Sequence, residues 1–153
     1  MNDEQKSLIQ QYFACTARLL DMEMIRSDKV LGDLAEWICV QSYGLELEAS
    51  GRHPGYDGVI DNRKVQVKAH NSPKGTNLSV GNPEQYDELF VLIGPRSRLR
   101  VGPAGQSFHV YRFTSDQVDL RFRRASGYYC AKKTLAKEPY EVISIDQEPV
   151  CCQ

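Results

Sequence analysis

At 153 residues the chain has the length of one domain, large enough to bury a core. Its five cysteines come with no charged-then-apolar leader and no apolar run near the ~20 residues of a membrane span, so we expect a cytoplasmic protein with reduced thiols and no membrane partner. The net charge of −1 is unevenly spread, with balances of −5 over residues 1–50, zero over 51–95, +8 over 96–137 and −4 over 138–153.

Residues 3–25 read as a first helix, with Leu8, Ile9, Tyr12, Phe13, Leu19 and Leu20 at helical spacing and Asp3 and Glu4 favouring the dipole at its start. Ser27 or Asp28 caps a second helix that ends at Gly44, with Val30, Leu31, Leu34, Ala35 and Ile38 as its apolar stripe. Cys39 fits there as a small core residue. Glu36 falls off the stripe, beside Gly32, Val40 and Tyr43; an exposed glutamate and an acid facing a site edge satisfy that periodicity equally. Leu45-Glu46-Leu47-Glu48-Ala49 alternates like an edge strand, and residues 50–55 form a loop with His53 in solvent.

A β-hairpin follows. Val59 and Ile60 lie in its first strand, Asp61-Asn62 gives the turn, and Val65, Val67 and Ala69 alternate with polar residues in the second. A period of two puts Gln66, Lys68 and His70 on the other face, and the hairpin carries Asp57 towards Gln66 and Lys68. An acid, an amide oxygen and an ammonium then converge, which suits a divalent metal, a phosphate and a water. A structural Asp57–Lys68 salt bridge accounts for the same letters.

Residues 71–83 are a polar loop in which Lys74 can meet a phosphate. Leu89 to Ile93 is a continuous apolar run closed by Gly94-Pro95, the pattern of a strand buried on both faces. A basic loop with Arg96, Arg98 and Arg100 leads to a strand over residues 108–113, and Thr114 to Gln117 has the cap chemistry of a short helix. Residues 121–137 mix Arg121, Arg123, Arg124, Lys132 and Lys133 with Phe122, Tyr128 and Tyr129, and residues 140–145 read as a last strand. Such letters fit a surface that neutralises phosphates and stacks on bases, and they fit an ordinary solvated strand pair. Cys151 and Cys152 read as a tail, and no Cys/His spacing points to structural zinc. There is no internal repeat, no Gly-x-Gly-x-x-Gly and no Walker lysine loop.

Asp57 followed nine residues later by Gln66-Val67-Lys68 resembles the Asp…(Asp/Glu)-x-Lys signature of the PD-(D/E)xK, restriction-endonuclease-like nucleases, and Gly32-Asp33-Leu34-Ala35-Glu36 is similar to the Gly-x-x-x-Glu helix that precedes their hairpin. The resemblance covers residues 25–120 and departs from the family at Gln66, a neutral amide where an acid is usual. It implies an α/β (α+β) fold: a mixed sheet flanked by helices, in α-β-β-β-(α)-β order, behind an N-terminal helical segment. We expect a single domain over 1–153, divided into an N-terminal helix (1–26), a core (27–120) and a basic, aromatic extension and tail (121–153). The implied activity is a Mg²⁺- (or Mn²⁺-) dependent endonuclease acting on DNA in restriction, repair or defence. Glu36, Asp57, Gln66 and Lys68 would be catalytic; Asp57, Gln66, the Val67 carbonyl and Glu36 would hold the metal, and Lys68 would orient water or stabilise the phosphorane oxygens. His70, Lys74, Arg96, Arg98, Arg100, Arg121, Arg123, Arg124, Lys132 and Lys133 are the candidate DNA contacts, and a homodimer would match the duplex. Two alternatives stay open: a catalytically degenerate nucleic-acid-binding protein, and a protein-interaction scaffold.

Overall fold

The computed structural model describes residues 1–22, 31–49, 55–135 and 138–146. They form three α-helices, α1 (Asp3–Asp21), α2 (Leu31–Tyr43) and α3 (Ser115–Phe122), and nine strands. The strands are β1 (Glu46–Leu47), β2 (Gly58–Ile60), β3 (Arg63–His70), β4 (Leu78–Ser79), β5 (Glu88–Ile93), β6 (Ser107–Thr114), β7 (Arg123–Arg124), β8 (Gly127–Cys130) and β9 (Glu141–Ser144). Six strands make a mixed sheet in the order β1-β2-β3-β5-β6-β9, in which β3 and β5 are parallel and the other neighbours antiparallel. A smaller sheet has the order β4-β8-β7. No helix among the described residues is long and apolar enough to cross a membrane.

The run expected to be buried on both faces is β5, and all six of its side chains are buried. Phe90 and Leu92 enter a layer with Ile9 and Phe13 of α1, Ala35, Ile38 and Cys39 of α2, and Val65 and Val67 of β3. Leu89, Val91 and Ile93 enter the opposite layer with Leu99, Tyr111, Val118 and Phe122. Each fully buried aliphatic or aromatic side chain contributes on the order of 2 kcal/mol, so the five apolar side chains of β5 are a large source of stabilisation.

The helices follow their local signals with two differences. In α1 an Asn2/Gln5 capping box adds to the acidic first turn, and Ile9, Phe13 and Thr16 form the buried face. Leu8 belongs to the other side and is 59% exposed, because a helix with Ile9 and Phe13 inward turns it away from the sheet. Thr114 and Gln117 make the expected capping box of α3. The end expected for the first helix at residue 25, the caps Ser27 and Asp28, Val30, His53 and the Cys151-Cys152 pair lie outside the described residues.

Two segments differ more from expectation. Residues 71–83 are not simply a polar loop. Leu78 and Val80 are buried, β4 pairs with β8, and the Tyr86 hydroxyl donates to the Val80 carbonyl at 3.0 Å. The described part of the expected extension, residues 121–135 and 138–146, also contributes to the core. Phe122, Cys130 and Leu135 fill one core layer, and Ile143 and Ile145 fill the other.

Glu88 opens β5 and is only 7% exposed. Both of its carboxylate oxygens accept from Arg112 Nη2, at 2.9 and 3.1 Å, and it pairs with Arg63 at 3.1 Å. Arg112 also lies over the Phe90 and Tyr140 rings at 4.7 and 4.8 Å. Glu88→Ala leaves the Arg112 guanidinium without its acid against an aromatic wall. It should cost roughly 2–4 kcal/mol in denaturant unfolding, while Glu88→Gln, which keeps one acceptor, should cost less. Equal losses in the two variants would show that the charge, lost in both, carries the stabilisation and that the volume, lost only in the Ala variant, does not.

Candidate active site

The β2–β3 hairpin turns through Asp61 and Asn62, at φ +48° and +63°, with Ile60 opposite Arg63. Left-handed values at both residues define a type I′ turn, which Asp and Asn tolerate better than bulkier side chains. The register places Gly58 opposite Val65. No side chain fits at Gly58, since a Cβ there would lie 2.4 Å from the Glu46 carbonyl oxygen of β1.

One residue before β2, Asp57 is tied down on all sides. Its amide donates to the Val65 carbonyl at 2.9 Å, its carbonyl accepts from the Glu48 amide at 3.0 Å, and its Oδ2 accepts from the Val67 amide at 2.7 Å. The same Oδ2 accepts from the Gln66 side-chain nitrogen, which is also 3.3 Å from the Val67 carbonyl. Gln66 is buried, with its Oε1 turned towards Gly81. Lys68 stands two residues along the same face, half-buried, and makes no ion pair among the described residues. The structural Asp57–Lys68 salt bridge is therefore not formed.

Glu36 comes from α2, which packs on the Val65–Val67 side of β3, opposite to Gln66 and Lys68. Its carboxyl is nonetheless within electrostatic reach of the site. Partial burial pushes it above the usual carboxylate range, the Asp57 and Asp33 charges push it further, and Lys68 opposes them. Cys39, three residues on, is fully buried, and burial together with Asp57 and Glu36 pushes its thiol up to about 12. That thiol is inert packing beneath the site. Nothing in the helical pattern of the sequence marks its nearness to Asp57.

These side chains offer oxygen atoms to a hard cation, with one reservation of chemistry. The Asp57 charge raises the cost of ionising Glu36, which a divalent ion between them would relieve. The Val67 carbonyl and the Gln66 amide add neutral oxygens. Gln66, however, turns its nitrogen to Asp57, so its oxygen reaches a shared cation only after the amide turns over. No group of three or more His, Cys, Asp and Glu side chains among the described residues is arranged to hold a metal.

The candidate DNA contacts divide. His70 is buried with Nδ1 2.6 Å from the Ser97 hydroxyl, so its imidazole is enclosed in the fold rather than presented at a surface. Arg100 spends its guanidinium on the Pro103 and Ser107 carbonyls and the Ser107 hydroxyl at 3.2, 2.7 and 2.8 Å. Arg123 pairs with Asp119 and lies 5.3 Å over the Tyr128 ring. Lys74, Arg98, Arg121, Arg124, Lys132 and Lys133 are exposed, and Arg96 is half-buried with its amide held by Asn71 at 2.8 Å. A cavity of about 180 Å³ between β6 and α3, lined by Arg112, Gln117, Arg121, Glu138 and Tyr140 among others, contains none of the four candidate catalytic residues. No protein-family model and no curated protein matches this chain.

His70 and His109 are both held below the ordinary imidazole value of 6.5, each mainly by burial, and His109 also by the Arg100 charge. The unfolded chain takes up these protons first, so stability should fall as pH drops through and below that value. Urea unfolding between about pH 7.5 and about pH 5.5 should show it. His70→Asn, which keeps a polar group beside Ser97, should shallow that slope without abolishing it, since His109 remains. A slope identical to wild type would mean that His70 takes up its proton equally in the folded and unfolded chain.

Proposed function

We propose that the chain is a divalent-metal-dependent endonuclease acting on DNA, with a core of the restriction-endonuclease-like kind. The sheet supports this reading: α2 precedes the antiparallel run β1-β2-β3, and β5 returns parallel to β3. The crossover between β3 and β5 carries β4 and a 3₁₀ turn (Pro83–Gln85) in place of a helix. The observation that carries the reading is the meeting of Asp57 with Gln66 beside an unpaired Lys68, with the Glu36 charge in reach.

A bound Mg²⁺ or Mn²⁺ supplies charge neutralisation at the phosphate and an acidified water. Asp57 and Glu36 would hold it through carboxylate oxygens, with the Val67 carbonyl as a further candidate ligand. Lys68 projects from a strand ordered on both edges, so its ammonium is available to orient water or to stabilise charge developing on the phosphoryl oxygens. One such site attacks one strand, so a homodimer matched to the duplex two-fold is the arrangement that cuts both.

The Gln66–Asp57 hydrogen bond favours a second reading, a nucleic-acid-binding protein whose catalytic site is closed by its own amide. Incubation with plasmid, single strands and branched DNA in Mg²⁺, Mn²⁺ or chelator separates the two. In the first, Asp57→Asn, which leaves an acceptor for the Val67 amide, and Lys68→Ala should each lower cleavage by about 10²-fold or more with the fold retained. Wild-type rates in either variant would end the assignment.

Gln66→Glu probes the same site from the other side. Without metal it sets a second carboxylate against Asp57 in a buried position and should destabilise the protein; with Mg²⁺ it should bind metal more tightly than wild type and keep or raise activity. Calorimetric titration of both proteins reads this directly. Equal affinities would remove Gln66 from the ligands and leave the second reading.

A further inference from the structure

We propose that the outer face of the small β4-β8-β7 sheet is a seat for an unpaired base of a DNA strand, with Tyr129 as the stacking platform. Cross-strand partners share a face, and the register pairs Leu78 with Cys130, Ser79 with Tyr129, Arg123 with Tyr128 and Arg124 with Gly127. Leu78 and Cys130 are buried in the core layer below, and Tyr128 packs against it. The Tyr128 hydroxyl donates to Asp119 at 2.8 Å, and Arg123 covers its ring. That face is fully occupied by its own fold.

The other face is different. It presents Ser79, Tyr129, Gly127 and Arg124, of which Ser79 and Arg124 are exposed and Tyr129 is half-exposed. Among the described residues Tyr129 has no ring partner and its hydroxyl no hydrogen bond. Gly127, at φ +130°, leaves the space beside the ring without a side chain. Arg124 is held at the edge by a 2.7 Å bond from Nη1 to the Arg123 carbonyl, and Lys132 and Lys133 follow on an exposed 3₁₀ turn. Of the two acids whose charges reach Tyr128, Asp119 and Glu84, Asp119 is engaged by Arg123 and the Tyr128 hydroxyl.

An aromatic ring flanked by free cations and a hydroxyl matches a nucleotide: the ring takes a base face, and the cations take phosphate. A paired base keeps its faces inside the duplex stack, so the occupant is single-stranded. Position supports this too. Ser79 is two residues from Gly81, which adjoins the Gln66 side chain, so a strand seated on Tyr129 continues towards Asp57 and Lys68. This last step rests on the nuclease reading; the binding itself does not.

The test is fluorescence anisotropy with labelled single-stranded and duplex oligonucleotides, in chelator so that nothing is cut, at several salt concentrations. Tyr129→Ala should weaken single-strand binding roughly 5- to 100-fold, leave duplex binding unchanged and leave the salt slope unchanged. Tyr129→Phe and Tyr129→Trp, which keep a π-face on a β-prone residue, should bind single strands as well as wild type or better. Arg124→Ala should lower the magnitude of the slope by about 0.7. Single-strand affinity equal to wild type in a folded Tyr129→Ala, or weakened binding in a folded Tyr129→Trp, would overturn the proposal. Cleavage assayed separately in Mg²⁺ keeps the two readings apart. Tyr129-independent binding beside intact cleavage removes only the seat, and Tyr129-dependent binding without any cleavage removes only the nuclease.

Discussion

Complete burial of β5 is the constraint from which the rest of the molecule follows. A strand with Leu89 to Ile93 all at 0% exposure needs an apolar layer on each side, and the chain supplies α1 and α2 for one and α3 with the small sheet for the other. It also needs partners on both edges, and its parallel neighbour β3 is thereby fixed in register, Gln66 beside Leu89 and Lys68 beside Val91. The two polar side chains are held over an apolar floor rather than in solvent. Their position is set by the packing of a strand that takes no part in the chemistry.

Asp57 shows how one carboxylate serves fold and site together. By accepting the Val67 amide it joins the entry of β2 to the middle of β3, which an Asn would also do. Its charge is the part a structural role does not require. Next to it, in a position only 5% exposed, a glutamate would place two anions together, whereas Gln66 donates a hydrogen bond and makes the metal-free site self-consistent. In the proposed site, an amide rather than an acid at this position would trade affinity for a cation against stability in its absence. Both readings of the function follow from that one exchange.

The hairpin, β5 and the cap of α3 were legible because their signals are local: a two-residue turn, an unbroken apolar run, a Thr three residues before a Gln. The small sheet was not legible, because β4 is only two residues long and finds its partner β8 about fifty positions away. Which cations are free was hidden for the same reason. Arg100, Arg112 and Arg123 look like their neighbours in sequence, and only tertiary structure spends them on Ser107, Glu88 and Asp119. Likewise the β period correctly grouped His70 with Gln66 and Lys68, but no periodicity shows that Ser97 and burial enclose it.

Folding could have mixed the acidic and basic segments, and it does not. Among the described residues, Asp3, Glu4, Asp21, Asp33, Glu36, Glu46 and Glu48 lie on or next to α1, α2 and β1, whereas Arg121, Arg124, Lys132 and Lys133 lie with α3 and the small sheet on the opposite side of the main sheet from the helices. Gln66 and Lys68 face the basic side, and Glu36 reaches Asp57 from the acidic one. The candidate site therefore sits on the seam between two fields. Beyond a Debye length of about 8 Å these fields fade, so they act on a polyanion already close to the surface, drawing it to the small sheet and turning it away from the helices. A cation at the seam has the reverse preference, towards Asp57 and Glu36. For the proposed hydrolysis, phosphate on one side and metal on the other would be the polarity required, and the separation of charge that would supply it comes from which layer each segment of the chain covers.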